Sequence, residues 1–148
     1  MKNIFLSILL AIGMIASVNA QSNALGLRFN LVNAGVEASY QNVLTNANRI
    51  EVNLGLDLDR AFQASALYQW VWDLPQLEAG FKWYAGVGGS LILFGGGFAI
   101  GMLGNVGIEY NFDFPLQLSL DMRPGFYLFN GGSDFAHGGV ALGVRYKF

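Results

Sequence analysis

Charged residues occupy only one of the two alternating positions along most of this chain. Segments such as NRIEVNLGL (48–56) and GGVALGVRYKF (138–148) alternate apolar and polar residues, which is the two-residue period of a β-strand. The opposite positions, for example those of Leu25 and Leu27, carry no charge along the runs, and the remaining charges, such as Arg60, fall in or beside the expected turns. The charged set comprises Arg28, Glu37, Arg49, Glu51, Asp57, Lys82, Glu109, Asp121, Arg123, Arg145 and Lys147.

Clusters of Asn, Asp, Gly and Pro divide these alternating runs into strands. Eight antiparallel strands joined by short connections predict a closed barrel, because closure removes exposed strand edges. The strands are expected at 24–32, 35–43, 48–58, 60–71, 81–94, 98–112, 116–129 and 138–148. The longer connections are expected near 89–98 and, as a glycine-rich loop, at 130–137.

A soluble barrel and a membrane barrel place the charged face on opposite sides. Only 12% of the residues are charged, which is too few to cover the outside of a soluble barrel but suits a small interior. A charge on a lipid-facing position costs about 2–4 kcal/mol at the bilayer midplane, so a charge-free face is what lipid requires. The sequence therefore predicts an all-β protein, an eight-stranded antiparallel up-and-down transmembrane β-barrel.

The first residues indicate export. Lys2 precedes an apolar run at 4–18, and Ala20 is a small residue of the kind that signal peptidase prefers. We expect residues 1–20 to be a cleaved signal peptide and residues 21–148 to form one barrel domain. The chain has no cysteine, which excludes a Cys-linked lipid anchor, disulfides and thiolate metal sites. No basic patch points to nucleic acid, and no cofactor or metal is expected.

Aromatic residues of the uncharged face recur near one end of the predicted strands. In an up-and-down barrel they form a belt at a membrane interface, on the periplasmic side if the mature N-terminus is periplasmic. The predicted belt comprises Tyr40, Tyr68, Trp70, Trp83, Tyr110, Phe112, Tyr146 and Phe148. The alternating pattern of Val144, Tyr146 and Phe148 resembles the insertion signal that the outer-membrane assembly machinery reads.

Several stretches together resemble the small outer-membrane β-barrel proteins of the Bacteroidetes type. They are GVEASYQ (35–41), NRIEVNLGL (48–56), LYQW (67–70), KWYAGVG (82–88), GIEYNFDFPLQLSLDMRP (107–124) and the final GVRYKF. This resemblance implies a monomeric barrel in the outer membrane of a Gram-negative bacterium and no particular activity. The chain departs from that pattern in the apolar stretch LILFGGGFAI (91–100), where those proteins are more polar.

The inward charges are the first candidate site. An eight-stranded barrel is only just wide enough for its own side chains, and the charges of both signs are nearly balanced, which favours a plug of ion pairs. Within such a plug, Arg123 is expected to pair with Glu109 or Asp121. The alternative is a narrow pore between the many inward glycines.

Two further stretches suggest other chemistry. Ser133, Asp134 and His137 contain the residue types of a hydrolase triad, but five residues of one glycine-rich loop do not hold that geometry, so a solvated loop histidine is favoured. The apolar stretch near the 95–97 glycines is either the top of two membrane strands or a contact loop for lipopolysaccharide, a ligand or a protein. Its contact residues would be Leu91, Ile92, Leu93, Phe94 and Phe98.

These observations predict a non-enzymatic, multi-pass outer-membrane barrel with both mature termini in the periplasm. Its role would be structural or accessory, including that of a subunit of a larger envelope complex. A narrow porin-like channel is the alternative, and a lipid-modifying hydrolase is a third hypothesis. The expected partners are outer-membrane lipid and lipopolysaccharide, the assembly machinery during insertion, and a membrane protein of the same envelope.

Overall fold

The fold was analysed in a computed structural model that describes residues 23–56, 61–74 and 76–148. The predicted signal peptide (1–20) and Asp57 lie outside the described residues. Among the residues that the structure describes, no helix is long and apolar enough to cross a membrane. The strands are β1 (Ala24–Asn30), β2 (Val36–Val43), β3 (Asn48–Leu56), β4 (Phe62–Asp73), β5 (Phe81–Phe94), β6 (Gly97–Asn111), β7 (Leu116–Met122), β8 (Gly125–Phe129), β9 (Gly132–Ala136) and β10 (Val140–Lys147).

The strands form one closed antiparallel barrel. Neighbours in sequence pair from β1 to β6, β6 pairs with β7, and β10 pairs with β7 and with β1, which closes the ring. Strands β7 and β8 pair with β6 in one continuous register, so they are two parts of a single barrel strand. Strands β9 and β10 follow each other along the other side of β8 and β7. The barrel therefore has eight strands, and the predicted fold class is confirmed.

The first six predicted strands agree with β1–β6 to within two residues at each end. The seventh, predicted at 116–129, is interrupted at Arg123 and Pro124, because proline has no N–H to donate to the ladder. The final strand begins at Val140 and not at 138, after Gly138 and Gly139, which both adopt positive φ.

The predicted loop at 130–137 is wrong. Phe129 pairs with Gly132 across a two-residue turn, so β8 and β9 form a hairpin. The turn residues are Asn130 and Gly131, the pair that most strongly favours a tight hairpin, and Gly131 has a φ of 111°. No long loop occurs at 89–98 either, because β5 and β6 pair up to Phe94 and Gly97.

The barrel is polar inside and apolar outside. Glu51 and Gln69 are 0% exposed and Arg145 is 1% exposed, whereas the outward Met102 is 76% exposed. Across the middle of the wall the outward positions of the strands are apolar, and the polar outward residues Asn42 and Asn48 lie towards the aromatic end, where they bond to Tyr40 and Tyr68. This inverted arrangement is that of a barrel whose outer solvent is lipid.

Candidate functional site: the barrel interior

Side chains from opposite walls meet in the middle of the lumen. Arg28 of β1 donates from Nη1 to Glu37 Oε2 (2.9 Å) and from Nε to Asp121 Oδ1 (3.1 Å). Arg123, at the break between β7 and β8, donates from Nη1 to the same Glu37 oxygen (3.1 Å) and from Nη2 to Glu51. Two guanidinium groups and three carboxylates thus form one continuous cluster across the barrel.

Glu51 is the most connected member of this cluster. Besides Arg123, its carboxylate accepts hydrogen bonds from Gln41 Nε2 (2.8 Å) and Gln69 Nε2 (3.1 Å). Arg145 Nη2 forms an ion pair with it at 3.5 Å. A buried carboxylate is stable only when charged and polar partners replace its hydration, and here four side chains do so.

A second pair closes the lumen towards the aromatic end. Arg49 Nη1 lies 2.8 Å from Glu109 Oε2, and Arg49 Nε donates to Gln69 Oε1 at 2.6 Å. The Arg49 guanidinium also lies over the Tyr84 ring, 4.7 Å from its centre. Tyr84 in turn donates its hydroxyl proton to Asp121 Oδ2 (3.0 Å), so it links the two charge groups.

Gly107 makes room for the Tyr84 ring. A Cβ at this position would lie 2.5 Å from the ring carbon that bears the hydroxyl, which is closer than real contacts allow. The absence of a side chain on β6 therefore lets a tyrosine on the neighbouring β5 lie across the lumen. The inward glycine is required here by space and not by backbone conformation.

The buried charges balance. Four arginines, Arg28, Arg49, Arg123 and Arg145, are matched by four carboxylates, those of Glu37, Glu51, Glu109 and Asp121, and all eight residues are at most 9% exposed. We name these eight residues the central cluster. The cluster lies between two cavities of the lumen, here called vestibules, and its members line both of them.

One vestibule opens at each end of the barrel. The vestibule at the aromatic end has a volume of about 680 Å³ and a mostly polar lining that includes Lys82, Lys147 and Asp73. The vestibule at the other end, here called the outer vestibule, has a volume of about 670 Å³. Its floor includes Arg28, Glu37 and Arg123 of the central cluster.

The other predicted interior charges lie at the aromatic-end mouth. Lys82 is part-exposed, and its Nζ is 3.8 Å from the carboxylate of the exposed Asp73. Lys147 is also part-exposed and lines the same vestibule. The predicted partner of Arg123 is wrong, because Glu109 pairs with Arg49 and Asp121 with Arg28. Alternation assigns a face, but the stagger of the strands decides which inward residues meet.

Sequence reasoning missed the uncharged members of the site. Tyr84, Gln41, Gln69, Asn105 and Gln117 are buried within the lumen and bond to the central cluster or to one another. They occupy the same alternating positions as the charges, so the pattern that selected the charges also marks them.

The eight predicted belt residues lie towards one end of the barrel, where the hairpins β2–β3, β4–β5 and β6–β7 turn. Tyr68 contacts Trp70 edge-on at 5.1 Å between ring centres, and Trp83 stacks on Trp72 at 4.2 Å. Tyr110 packs on Phe81 at 4.7 Å, and Tyr146 and Phe148 are parallel at 6.3 Å. Trp72 and Phe81 were not predicted but extend the same group.

The predicted apolar contact loop is the tip of the β5–β6 hairpin and not a loop. Leu91, Leu93, Phe94 and Phe98 are exposed, and Leu91 and Leu93 point outward. Ile92 and Phe94 alternate with these two leucines and line the outer vestibule. The five residues therefore belong to two surfaces, one outside and one inside the barrel.

The three residues of the hydrolase hypothesis do not form a triad. Ser133 and Asp134 are neighbours on β9 and therefore point to opposite faces of the sheet. Asp134 and His137 line the outer vestibule and Ser133 does not. The His137 ring packs edge-on against Phe135, with ring centres 5.5 Å apart. Among the described residues, no group of three or more His, Cys, Asp or Glu side chains is placed to bind a metal ion.

Comparisons with known proteins identify the fold. No family model and no curated protein matches the sequence. One solved structure, described as the product of de novo design of transmembrane β-barrels, superposes with a TM-score of 0.61. It is 14% identical and covers 86% of this chain and 95% of its own. The protein has the fold of a transmembrane β-barrel. At this identity the likeness speaks for the architecture alone.

Proposed function

We propose that the protein is a non-enzymatic integral barrel of a Gram-negative outer membrane, with a structural or accessory role. The observation that carries this proposal is the central cluster, whose balanced and mutually bonded charges occupy the middle of the lumen. A barrel filled in this way is suited to stabilising the membrane or supporting other envelope components. In this proposal, outer-membrane lipid and lipopolysaccharide surround the barrel, and both mature termini are periplasmic.

Ion conductance in planar bilayers tests whether the lumen is closed. We expect no discrete conductance steps from the wild-type protein, because the buried side chains of the central cluster fill the lumen between the two vestibules. The double variant Glu51→Ser/Arg123→Ser removes one member of each charge sign while preserving neutrality, and it should open a conducting path. Regular conductance steps from the wild type would reject the plugged barrel in favour of the narrow porin-like channel.

Isolation of the native protein tests whether it is a subunit. The protein would be extracted from outer membranes in mild detergent and sized together with whatever accompanies it. A stoichiometric protein partner would assign it to a larger envelope complex. A monomer that carries only lipid would instead favour a barrel that acts alone, as the resemblance to the small Bacteroidetes-type barrels implies.

A further inference from the structure

The barrel wall is much lower on one side than on the other. Strands β1 and β2 have seven and eight residues, whereas β5 and β6 have 14 and 15. A tilted strand needs about 9–11 residues to cross a bilayer, so the first group is too short and the second is longer than required. At the aromatic end, β1 begins level with its two neighbours, because Ala24 pairs with both Gln41 and Lys147. At the opposite end, β1 turns into β2 after Asn30, whereas β5 and β6 stay paired up to Phe94 and Gly97 and β9 continues above β10, so the height difference lies at the outer end.

This difference in height divides the outer end of the barrel into a low part and a high part. We name the upper ends of β1 and β2, with the connection at 31–35, the low rim. We name the upper parts of β5, β6 and β8, residues 91–103 and 125–129, the high wall. A bilayer that matches the high wall rises above the low rim, so the outer vestibule faces lipid on that side.

The inner face of the high wall is apolar. Ile92, Ala99, Leu103, Tyr127 and Phe129 line the outer vestibule from this side. The interior elsewhere is mostly polar, with Leu67 as its largest apolar side chain, so a continuous apolar surface is an exception to the inverted pattern of the barrel. An apolar wall above a polar floor, around about 670 Å³, has the size and mixed lining of a small-molecule site.

The low rim also carries apolar side chains. Leu31 and Val32, in the connection between β1 and β2, are 62% and 69% exposed. Val32 also lines the outer vestibule, so apolar surface continues from the rim into the cavity. A short hairpin connection in water would be expected to be polar, and its apolar residues fit a position against lipid.

We propose that the outer vestibule binds one hydrocarbon chain of a single-chain amphipath, which enters sideways from the outer leaflet across the low rim. The hydrocarbon chain lies against the high wall, where its own apolar surface and that of the wall are both buried. The polar head stays at the rim, where Asn30, Asn33 and His137 line the mouth. Arg28 and Arg123 on the floor are paired with carboxylates, so the site selects the chain and not an anionic head.

Native mass spectrometry of the full barrel in mild detergent tests this proposal, with palmitate and lysophosphatidylcholine as probes. We expect a saturable 1:1 adduct with each probe, of affinities within a few-fold of one another. Ile92→Trp fills the cavity and should weaken both at least tenfold. The matched control Leu93→Trp places the same side chain outside the barrel and should leave binding unchanged.

Several results would overturn the proposal. They are absence of an adduct, unsaturable binding, equal binding by the two tryptophan variants, or binding of palmitate alone, which would indicate recognition of the anionic head. Ala99→Phe fills the same cavity from β6 if Ile92→Trp does not fold.

In the wild type, stearate with a nitroxide at its chain end should broaden the methyl NMR signals of Leu103 more than those of Leu67. Leu67 is buried in the lumen but does not line the outer vestibule, so equal broadening would also contradict the proposal.

Discussion

Glu51 shows how one residue of this interior depends on its surroundings. It is fully buried, and its two oxygens face Arg123, Arg145, Gln41 and Gln69. A buried ion pair adds little net stability relative to an apolar pair, but removing one partner leaves the other charge without compensation. Single substitutions in the central cluster should therefore destabilise the barrel far more than the small net contribution of the cluster to stability suggests.

Glu51→Gln should lower the free energy of unfolding by about 3–5 kcal/mol, because Arg123 and Arg145 lose their shared carboxylate. Urea unfolding in lipid vesicles, followed by tryptophan fluorescence, measures this loss. Glu78→Gln is the matched control, since Glu78 is exposed in the β4–β5 connection. Equal losses from the two substitutions would show that Glu51 is not held by its arginine partners.

Arg123→Met should also destabilise the barrel, because Glu37 and Glu51 lose a common donor. The urea midpoint should fall, and the folded band on unheated gels should weaken. In the double variant Glu51→Gln/Arg123→Met, the loss should be smaller than the sum of the two single losses. Strict additivity would contradict the contact between the two side chains.

At the scale of the element, the hairpin β8–β9 is where sequence and structure differ most. Asn130 and Gly131 are a strong turn signal, but the surrounding glycines and Ser133 have low strand propensity, so the stretch resembles a loop. The hairpin forms because β8 continues the register of β7 along β6 and provides an edge for β9. The support comes from pairing with β6, which is not adjacent in sequence, so the residues of the hairpin themselves do not indicate it.

Gly131→Val should loosen this hairpin, because the residue adopts a φ of 111° that L side chains rarely adopt. A cost of about 1–3 kcal/mol is expected from such strain. Amide exchange in β9 should accelerate at least several-fold while the urea midpoint of the barrel stays near that of the wild type. Gly95→Val is the control at the outer β5–β6 hairpin, since Gly95 does not adopt a positive φ. Similar exchange in the two variants would rule out the strain.

At the scale of the molecule, alternation with a charge-free face was sufficient to predict a membrane barrel with eight strands. It placed Arg28, Glu51 and Arg123 on one face because parity depends only on local geometry. It did not predict that Arg123 meets Glu37 and Glu51, since that depends on how far each strand is shifted against the next. The unequal wall heights also arise from this closure and are not visible in any one segment.

The barrel should be more stable in thin bilayers than in thick ones, because β1 and β2 are too short for an average membrane. Mismatch costs fractions of a kcal/mol per Å of thickness. Urea unfolding in vesicles of saturated phosphatidylcholines with progressively longer chains measures the effect. Stability that rises steadily with chain length would mean that the high wall, and not the low rim, sets the thickness the protein prefers.

The central cluster also constrains the order of folding. Arg28 and Asp121 are 93 residues apart, Arg123 and Glu37 are 86 apart, and Arg145 and Ser39 are 106 apart. These contacts join the two ends of the chain, so the partners meet only when β10 reaches β1. Until then, ionised side chains face an open, incomplete lumen. Pairing them is therefore part of the step that closes the barrel, and such non-local contacts make that step slow and concerted.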